Sequence, residues 1–513
     1  MALNFFALAS EPRIRLTDCF RLQAPIFRCS FIFVGACIGN NVMLITPVLE
    51  VSGVESEHAA FSASYSKGAV KGPVAIVNPQ WPRGTRMTAQ TLGRDSAGRV
   101  YAVGTKGTSY EYFLVRILPG IDGNGDGRVD VDPAFGEAGF APMRAPQGVV
   151  INQAARVMVS ENHVTISVEV VTPGDVLETA LFRFSLDGQP DPLFGASGFA
   201  VFDELPEPSA SAPQVAGMAH LSPWKGEEVQ RTQPASISRS LEMQLAAKVQ
   251  QVEGAVASNK SDALVNDKLL VVAHKTRRSV KLSYLIKVGA DGVADASYAA
   301  GVGYLPLVFA GSLAKSEYKV AVDSMGRAVI VSASEDRTHC LVARFCADGC
   351  LDPTFGASGI LLISSAAGSM HRPFVTVDGN DKAIVCTQLD PDGPAAAGVY
   401  IFRLEEDGGA DPTFNGGQPL EFSPVRPIGN YRVDSIDVDE DHNVLLRGIF
   451  RQEGSAGFTS VLVSRFNAHG IDAGFGDGGS FALSGWGSSG GLVAQAGASV
   501  VVSDRTYLWQ LTA

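Results

Sequence analysis

Residues 122–132, with the sequence DGNGDGRVDVD, have the residue types and the spacing of a calcium-binding loop. Oxygen-bearing side chains stand at alternate positions, and Gly127 stands where such a loop must turn sharply. Calcium takes about six to eight oxygen ligands, which alternating carboxylates and carbonyls can supply. We therefore predict a calcium site formed by Asp122, Asn124, Asp126, the backbone carbonyl of Arg128, Asp130 and Asp132.

This loop departs from the usual calcium motif at its last position, where Pro133 replaces the acidic residue. Asp132 stands one position earlier and is the remaining candidate for that ligand. The alternative interpretation is an acidic, glycine-rich insertion between two strands that binds no metal. If calcium binds, we expect it to stiffen the loop and to take no part in catalysis.

Two other groups of reactive residues are weaker candidates. His339, Cys340, Cys346 and Cys350 lie close together in sequence, but their spacing matches no common zinc motif. Buried cysteines that behave as small hydrophobic residues explain this group better. Residues 487–491 have the form G-x-S-x-G, yet a nucleophile elbow needs a helix after it, and here we expect a strand.

Composition excludes several classes of partner. The net charge of −12 argues against nucleic acid, which requires a basic surface, and we interpret the one dense basic run, from Lys275 to Lys281, as a solvated turn. No apolar stretch is long enough for a transmembrane helix. Seven cysteines in 513 residues are too few for a disulfide framework. A monomer is expected, and its partner is an unknown protein or glycan.

The elements that position these residues belong to a repeat. Its clearest copy is ADGCLDPTFGASG, which ends at Gly359. The intervals between the aromatic residues of successive copies are 70, 59, 104, 57, 59 and 61 residues, and the two long intervals contain insertions near Asp122 and at 207–260. These aromatic residues are Tyr65, Phe135, Phe194, Tyr298, Phe355, Phe414 and Phe475.

Each repeat predicts four short strands. In one unit we expect strands at 319–322, 328–333, 340–345 and 360–363, because each is apolar and bounded by Gly, Asp or Ser. Four antiparallel strands make one blade of a β-propeller, so seven copies predict an all-β propeller of seven blades. Six or eight blades remain open if a degraded copy is misread. Phe355 is expected to pack between neighbouring blades.

The two ends of the repeat region are expected to share one blade. After Phe475, strands at 492–497, 499–503 and 507–511 lack a fourth partner, while the segment 68–77 supplies a strand without a blade of its own. Pairing the N-terminal strand with the three C-terminal strands completes the last blade. Such closure leaves no unpaired blade.

The motif DG-x-LD-x-[ST]-FG-x-x-G and its spacing of about 60 residues resemble the delta-60 repeat of bacterial β-propeller-like proteins. The resemblance covers residues 60–513. It implies the fold and implies no activity, because that family has no shared catalytic residues.

Two segments lie outside the repeat. Residues 1–42 contain an apolar run before Cys37 that weakly resembles a lipobox, and the alternative is that translation starts at Met43. The first interpretation predicts an exported or surface-anchored protein, and the second a cytoplasmic one. The polar insertion at 207–260 includes apolar residues at helical spacing, which fits a surface helix or an arm that binds a partner.

Three functions follow as hypotheses. The first is a non-catalytic binding or scaffold propeller, favoured because no catalytic constellation is visible and because a fold does not determine a function. The second is an exported surface protein stabilised by calcium. The third is a lyase or hydrolase with a site in the central channel, where loops of several blades converge.

Overall fold

The computed structural model describes residues 30–32, 48–50, 75–77, 85–106, 111–117, 131–202, 205, 264–265, 268–277, 280–309, 318–364, 369–390, 398–423, 429–451, 460–484, 490–495, 499–503 and 508–512. The chain divides into two compact units, Met1–Phe61 and Ser62–Ala513. In the first unit, β1 (Ser30–Ile32) and β2 (Val48–Glu50) form a two-stranded antiparallel sheet.

The second unit is a succession of small antiparallel sheets, which confirms the prediction of an all-β chain. Its first consecutive strands pair in the order β4 (Thr85–Arg94), β5 (Val100–Lys106), β6 (Glu111–Ile117) and β7 (Phe140–Pro142). The same order holds for β16 (Lys319–Val322), β17 (Ala328–Ala333), β18 (His339–Phe345) and β19 (Ile360–Ser364). The strand positions that we predicted for this last unit are confirmed within one residue.

Two further sheets follow the same plan. One comprises β20 (Ser369–Val377), β21 (Ala383–Asp390), β22 (Gly398–Leu404) and β23 (Leu420–Phe422). The other comprises β24 (Gly429–Val438), β25 (Val444–Arg451) and β26 (Ser460–Asn467), and β26 pairs with both β27 (Gly470–Ile471) and β28 (Ser480–Ser484).

An eight-stranded sheet lies between the first sheet and β16–β19. Its first half is β8 (Val150–Val159), β9 (His163–Thr172), β10 (Val176–Ser185) and β11 (Phe199–Val201). Its second half is β12 (Leu264–Val265), β13 (Lys268–Arg277), β14 (Val280–Val288) and β15 (Tyr304–Pro306). The halves are joined where β10 pairs with β13, through Leu177 opposite Thr276 and Glu178 opposite Lys275.

The last sheet combines both ends of the second unit, as predicted. Strands β29 (Leu492–Gln495), β30 (Ser499–Ser503) and β31 (Leu508–Thr512) pair in sequence, and β31 pairs in addition with β3 (Ala75–Val77). Ala75 lies opposite Gln510, and Val77 lies opposite Leu508. Strand β3 is the first and β31 the last of the described strands of the second unit. Their pairing therefore joins the N-terminal and C-terminal parts of this unit in one sheet.

Contacts between the sheets follow the order of the chain and return to the start. The first strands of consecutive sheets touch: β4 contacts β8, β16 contacts β20, β20 contacts β24, β24 contacts β29, and β29 contacts β4. Strand β13 of the eight-stranded sheet contacts β16. The sheets are therefore arranged in a propeller-like manner, and most neighbouring sheets contact each other through their first strands.

The hydrophobic core consists of layers between successive sheets. One layer contains Phe355 and Val385, from β16–β19 and β20–β23, and another contains Phe414 and Leu446, from β20–β23 and β24–β28. A sheet covered on both faces needs apolar residues on both, which is why β17, AVIVSA, is buried at every position. Helical structure in the described residues is limited to short 3-10 turns such as Ala299–Gly301. Within the described part of the chain, no helix is long and apolar enough to cross a membrane.

Candidate functional site

The predicted calcium loop is represented in the described structure by Asp132. Its buried carboxylate accepts a hydrogen bond at Oδ2 from Arg116 Nε at 2.8 Å, and at Oδ1 from the backbone amide of Ala134 at 3.0 Å. Both oxygens of Asp132 thus stabilise the fold, and the calcium site stays a prediction that depends on the other ligands. Outside the described residues lie Asp122, Asn124, Asp126, Arg128 and Asp130.

The contact of Asp132 recurs in successive sheets. In β16–β19, Arg344 on β18 donates from Nε to Asp352 Oδ2 at 2.8 Å, and the guanidinium carbon lies 4.7 Å from the ring centroid of Phe355. All three residues are buried. The same arrangement joins Arg116 with Asp132 and Phe135, Arg183 with Asp191 and Phe194, Arg403 with Asp411 and Phe414, and Arg465 with Asp472 and Phe475.

Four of these five motifs, those of Phe135, Phe194, Phe355 and Phe414, also bond to the next sheet. Gly356, which follows Phe355, donates its backbone amide to the carbonyl oxygen of Asp407 at 2.7 Å. A Cβ on Gly408 would lie 3.1 Å from the ring of Phe355, so the turn and the ring are in close contact. We call this arrangement the inter-sheet clamp. Equivalent amide-to-carbonyl bonds join Gly136 to Asp187, Gly195 to Asp291, Ala299 to Asp348, and Asn415 to Ala468.

Asp352 and Asp191, two of the carboxylates in these motifs, are stabilised in their charged form. Burial acts to raise the pKa of Asp352, but hydrogen bonds from Thr354 and the charge of Arg344 hold that pKa below its ordinary value. The pKa of Asp191 is lowered in the same way by the backbone amide of Leu193 and by Arg183, against the effect of burial. Charge-assisted hydrogen bonds of this kind are stronger than neutral ones, so we assign the repeat residues to folding and not to chemistry.

The cysteine group does not come together as a zinc site. Cys340 is buried within β18, His339 begins that strand, and Cys346 lies just beyond its other end. Among the described residues, no group of three or more His, Cys, Asp or Glu side chains is placed to hold a metal ion. Gly491 directly precedes strand β29, so a strand follows the G-x-S-x-G segment, as expected.

The interpretation of the basic run as a solvated turn is wrong for Lys275. This side chain is buried, and its Nζ lies 3.0 Å from Glu178 Oε1. Thr172 donates a further hydrogen bond of 2.9 Å to Glu178 Oε2. The cause is the direct pairing of β10 with β13, which places Glu178 opposite Lys275 and closes water off from both.

A different set of charged residues lies on the first strands, at β-bulges. Arg372 lies in the bulge of β20 and has a φ of 45°. Arg432 and Asp434 lie at the bulges of β24, and Arg156 adjoins a bulge of β8. A bulge turns a side chain away from the regular alternation of a strand, and left-handed backbone at a residue other than glycine is strained. Such features are common next to binding and catalytic sites.

Arg372 and Arg432 come from neighbouring sheets and repel each other. Burial, followed by the positive charge of Arg372, lowers the pKa of Arg432, while Asp434 opposes this shift. Arg372 is exposed and Arg432 is half-buried. Two neighbouring guanidinium groups gain free energy when an anion binds between them.

Asp434 interacts with Arg432 and also with a third arginine. Arg447 on β25 is fully buried and donates from one guanidinium nitrogen to both carboxylate oxygens of Asp434. Burial raises the pKa of Asp434 above its ordinary value, against the opposing effect of Arg447. With Arg372 and Arg432, the group holds three arginines and one aspartate, an excess of two positive charges. We call these four residues the arginine cluster.

Arg156 lies near a carboxylate of a sheet that is not its neighbour. Burial lowers the pKa of Arg156 to about 9, and the charge of Asp437 on β24 opposes that shift. Asp437 Oδ2 accepts a hydrogen bond of 2.9 Å from the backbone amide of Ala494 on β29. The half-buried Arg156 is on β8, and the sheets of β29 and β4 separate β8 from β24 in the order of contacts. The charges of Arg156 and Asp437 therefore interact although their sheets are not adjacent in the order of contacts.

Sequence patterns did not lead us to predict this cluster, although they contain a signal for it. The segments SMHRPF and GNYRVD each place an arginine inside the first strand of a repeat, next to apolar residues. A charged residue in a strand that is covered on both faces must find a partner or a water-filled space. The sequence patterns do not show that the two segments lie close together in space.

Comparison with known proteins gives fold-level likeness alone. No family model matches the chain, and no curated protein matches it. Similar solved structures include a protein of unknown function from Dyadobacter fermentans (11% identity, 74% of this chain and 95% of that chain, TM-score 0.37). An ulvan lyase of polysaccharide lyase family PL25 (8%, 86% and 94%, 0.39) and an α-L-arabinofuranosidase from Fusarium graminearum (8%, 87% and 98%, 0.32) are also similar. At these values no residue role and no activity transfers to this chain.

Proposed function

We propose that the second unit is a closed propeller of seven blades built from delta-60-like repeats. Seven groups of strands support this number: β4–β7, β8–β11, β12–β15, β16–β19, β20–β23, β24–β28, and β29–β31 with β3. Pairing of β3 with β31 and contact of β29 with β4 support closure. In such a ring the first strands line a central channel.

In this propeller the arginine cluster is proposed to bind an anionic ligand at the channel. The observation that carries the proposal is the pair Arg372 and Arg432, two cations on adjacent first strands. Burial, followed by the positive charge of Arg372, lowers the pKa of Arg432. The chain as a whole is acidic, with a net charge of −12, so this concentration of positive charge is local. A channel with low-dielectric walls focuses such a field and attracts anions.

The geometry of the arginine side chain favours carboxylate, sulfate or phosphate groups. A guanidinium group binds these planar or tetrahedral oxyanions through two parallel hydrogen bonds. Of the partners expected from the sequence, we favour a glycan with carboxylate or sulfate groups, because repeated anions suit a channel in which Arg156 supplies a third cation. An acidic peptide is the competing outcome.

A second candidate is catalysis on the same ligand, and Asp434 favours it. A carboxyl group whose pKa is raised by burial keeps its proton to a higher pH than an ordinary aspartate does, and a proton donor requires this. In a lyase or a hydrolase, Asp434 would protonate the leaving group while the arginines hold the anionic substituent. We rank binding above catalysis because Asp434 accepts two hydrogen bonds from Arg447. These bonds explain the position of Asp434 without a catalytic role.

The test is calorimetric titration of the full chain with polygalacturonate, chondroitin sulfate, poly-glutamate and neutral dextran. We expect binding to an acidic glycan that weakens with salt, and at least about a tenfold loss for Arg372→Ala or Arg432→Ala. Arg144→Ala, at an exposed arginine paired with Glu137, is the matched control and should leave binding unchanged. Equal affinity of all three variants, or no binding to any acidic polymer, would reject the site.

Catalysis is tested on the same polymers by measuring new reducing ends and unsaturated uronate. If Asp434 is the proton donor, Asp434→Asn loses turnover and keeps binding. Its unfolding midpoint is measured in parallel, because the substitution also weakens the contact with Arg447. If the wild-type protein binds the polymer but forms no product, the catalytic hypothesis is rejected and the binding hypothesis is retained.

The calcium loop is proposed as a separate, structural site. Its ligands would be Asp122, Asn124, Asp126, Asp130 and the carbonyl of Arg128. Support comes from the sequence motif, together with the engagement of Asp132 by Arg116, which fixes the C-terminal end of the loop. A higher melting temperature in calcium than in chelator, absent in Asp122→Ala, is the expected result. Identical melting in both conditions would exclude it.

A further inference from the structure

The turn that contains Cys346 and Cys350 places the backbones of these two residues opposite each other. Cys346 donates its backbone amide to the carbonyl oxygen of Cys350 at 2.7 Å, and its own carbonyl accepts from Gly349 at 2.9 Å. The neighbouring residues Phe345 and Leu351 form the next bridge of the same hairpin. Directly opposed residues of an antiparallel pair have Cα atoms about 4.5–5.5 Å apart, within the range that a disulfide spans.

The thiols are accessible, in contrast to the other described cysteines. Cys350 is exposed and Cys346 is half-buried, whereas Cys340 and Cys386 are buried. Small disulfide reagents can therefore reach Cys350 without any opening of the core.

The repeat itself does not require cysteine at these positions. The equivalent turns make the same amide-to-carbonyl bond with other residue types. Packing therefore does not explain two cysteines at the surface end of one hairpin. The corresponding opposed pairs are Ser185 with Gln189, Gly289 with Val293, and Glu405 with Gly409.

The turn is also held in shape by the preceding sheet. The carbonyl oxygen of Asp348 accepts the backbone amide of Ala299 at 2.8 Å, and that of Ala347 accepts Lys287 Nζ at 2.9 Å. A Cβ on Gly349 would lie 3.1 Å from the ring of Tyr298. The inter-sheet clamp therefore fixes the hairpin before any covalent bond forms.

We propose that Cys346 and Cys350 form a reversible disulfide across this turn, with a small-molecule disulfide as oxidant. The Cys350 thiolate attacks the oxidant, forms a mixed disulfide and releases one small thiol. The Cys346 thiolate then attacks the sulfur of Cys350 and releases the second small thiol, which leaves the protein disulfide. Two protein thiols are oxidised, one small disulfide is reduced, and the protons of the protein thiols pass to the two released thiolates.

The exposure of the bond makes it a labile disulfide and not a structural one. Exposed disulfides have higher reduction potentials than buried structural ones and serve as the regulatory or reducible class. Burial, with the nearby charges of Asp352 and Asp348, raises the pKa of the Cys346 thiol. The second step is therefore expected to accelerate as pH rises, because it requires the Cys346 thiolate.

Peptide mapping of the folded full chain tests the proposal. Trypsin releases residues 345–382 as one peptide, because cleavage after Arg372 is blocked by Pro373, and this peptide contains no other cysteine. After treatment with oxidised glutathione, we expect the peptide to lose about 2 Da, the mass of two hydrogens, and to resist alkylation until it is reduced.

Single substitutions separate the two steps. In Cys346→Ser, Cys350 should retain glutathione as a stable mixed disulfide, because no second thiol can displace it. In the wild-type chain that adduct should be transient. A wild-type peptide that keeps both thiols free, or that keeps glutathione on Cys350 without forming the internal bond, would overturn the proposal.

Discussion

The backbone amide of Gly356 donates a hydrogen bond of 2.7 Å to the carbonyl oxygen of Asp407, so the end of one repeat motif is held by the beginning of the next. This bond explains why the motif has its particular length. The aromatic ring and the following glycine of one copy must reach the DG turn of the next copy. A copy in the middle of the array therefore makes one such contact through its aromatic residue and a second one through its DG turn. The motif therefore specifies the interface between sheets as much as the sheet itself.

The aromatic residue of the clamp should contribute strongly to stability. Phe355 is fully buried between two sheets, and Phe355→Ala should lower the free energy of unfolding by about 3–5 kcal/mol. Urea unfolding followed by tryptophan fluorescence measures the change. Leu193→Ala, at a leucine that is 79% exposed, is the control and should change the value by less than about 0.5 kcal/mol. Similar losses for both would contradict the clamp.

A glycine pair separates close packing from backbone strain. Gly408 and Gly174 both have positive φ, +83° and +93°, but a Cβ on Gly408 would lie 3.0 Å from the amide nitrogen of Gly356, whereas Gly174 has nothing within 4 Å. Gly174→Ala should cost about 1–2 kcal/mol for the left-handed backbone alone. Gly408→Ala should cost more, because the next sheet must shift. Thermal melting of both variants is the measurement, and equal losses would show that the contact is unimportant.

The clamp carboxylates should make stability depend on acid pH. The folded pKa of Asp352 lies below its ordinary value, so the folded chain binds that proton less readily than the unfolded chain. The stabilisation is present at neutral pH and is lost as pH falls through and below the ordinary titration range of an aspartate. Asp352→Asn should be less stable at pH 7 and should lose less stability on acidification than the wild type. Glu137→Gln, at an exposed glutamate, should retain the wild-type profile, and an unchanged profile in Asp352→Asn would contradict the assignment.

Removing one charge of the buried ion pair between Lys275 and Glu178 should lower the free energy of unfolding strongly. Glu178→Gln leaves a buried ammonium without its counter-charge, 3.0 Å from a neutral amide, and should lower the free energy of unfolding by about 3–5 kcal/mol. The double variant Lys275→Met with Glu178→Leu should recover most of that loss, because it removes both charges. Urea unfolding of the three proteins gives the comparison. A double variant as unstable as the single one would point to packing and not to charge.

The repeat could be predicted in detail from the sequence, and the ion pair of the clamp could have been predicted with it. The strand boundaries of β16–β19 and the pairing of β3 with β31 follow from apolar runs between turn residues. An arginine on the third strand and an aspartate before the aromatic residue recur in every well-preserved copy, for example Arg344 and Asp352. Two opposite charges that recur together in a buried repeat predict an ion pair, as the structure shows.

Other contacts depend on which strands become neighbours. Sequence patterns indicate whether a residue faces the core. They do not show which strands pair on the two sides of an insertion of 50 or so residues, here β10 and β13. Lys275 was misassigned for that reason. The same limit applies to Arg372 and Arg432, which are 60 positions apart in the chain. Their proximity arises because β20 and β24 are first strands of adjacent sheets.

The sequence by itself determined the all-β class, the repeat and its strands, because local turn chemistry and apolar periodicity act over a few residues. Only the tertiary structure decided that Asp132 is hydrogen-bonded to Arg116, that Glu178 neutralises Lys275, and that the charges of Arg372 and Arg432 interact. The physical reason is that electrostatic interactions depend on distance and burial in space. Both are set by how the sheets pack against one another.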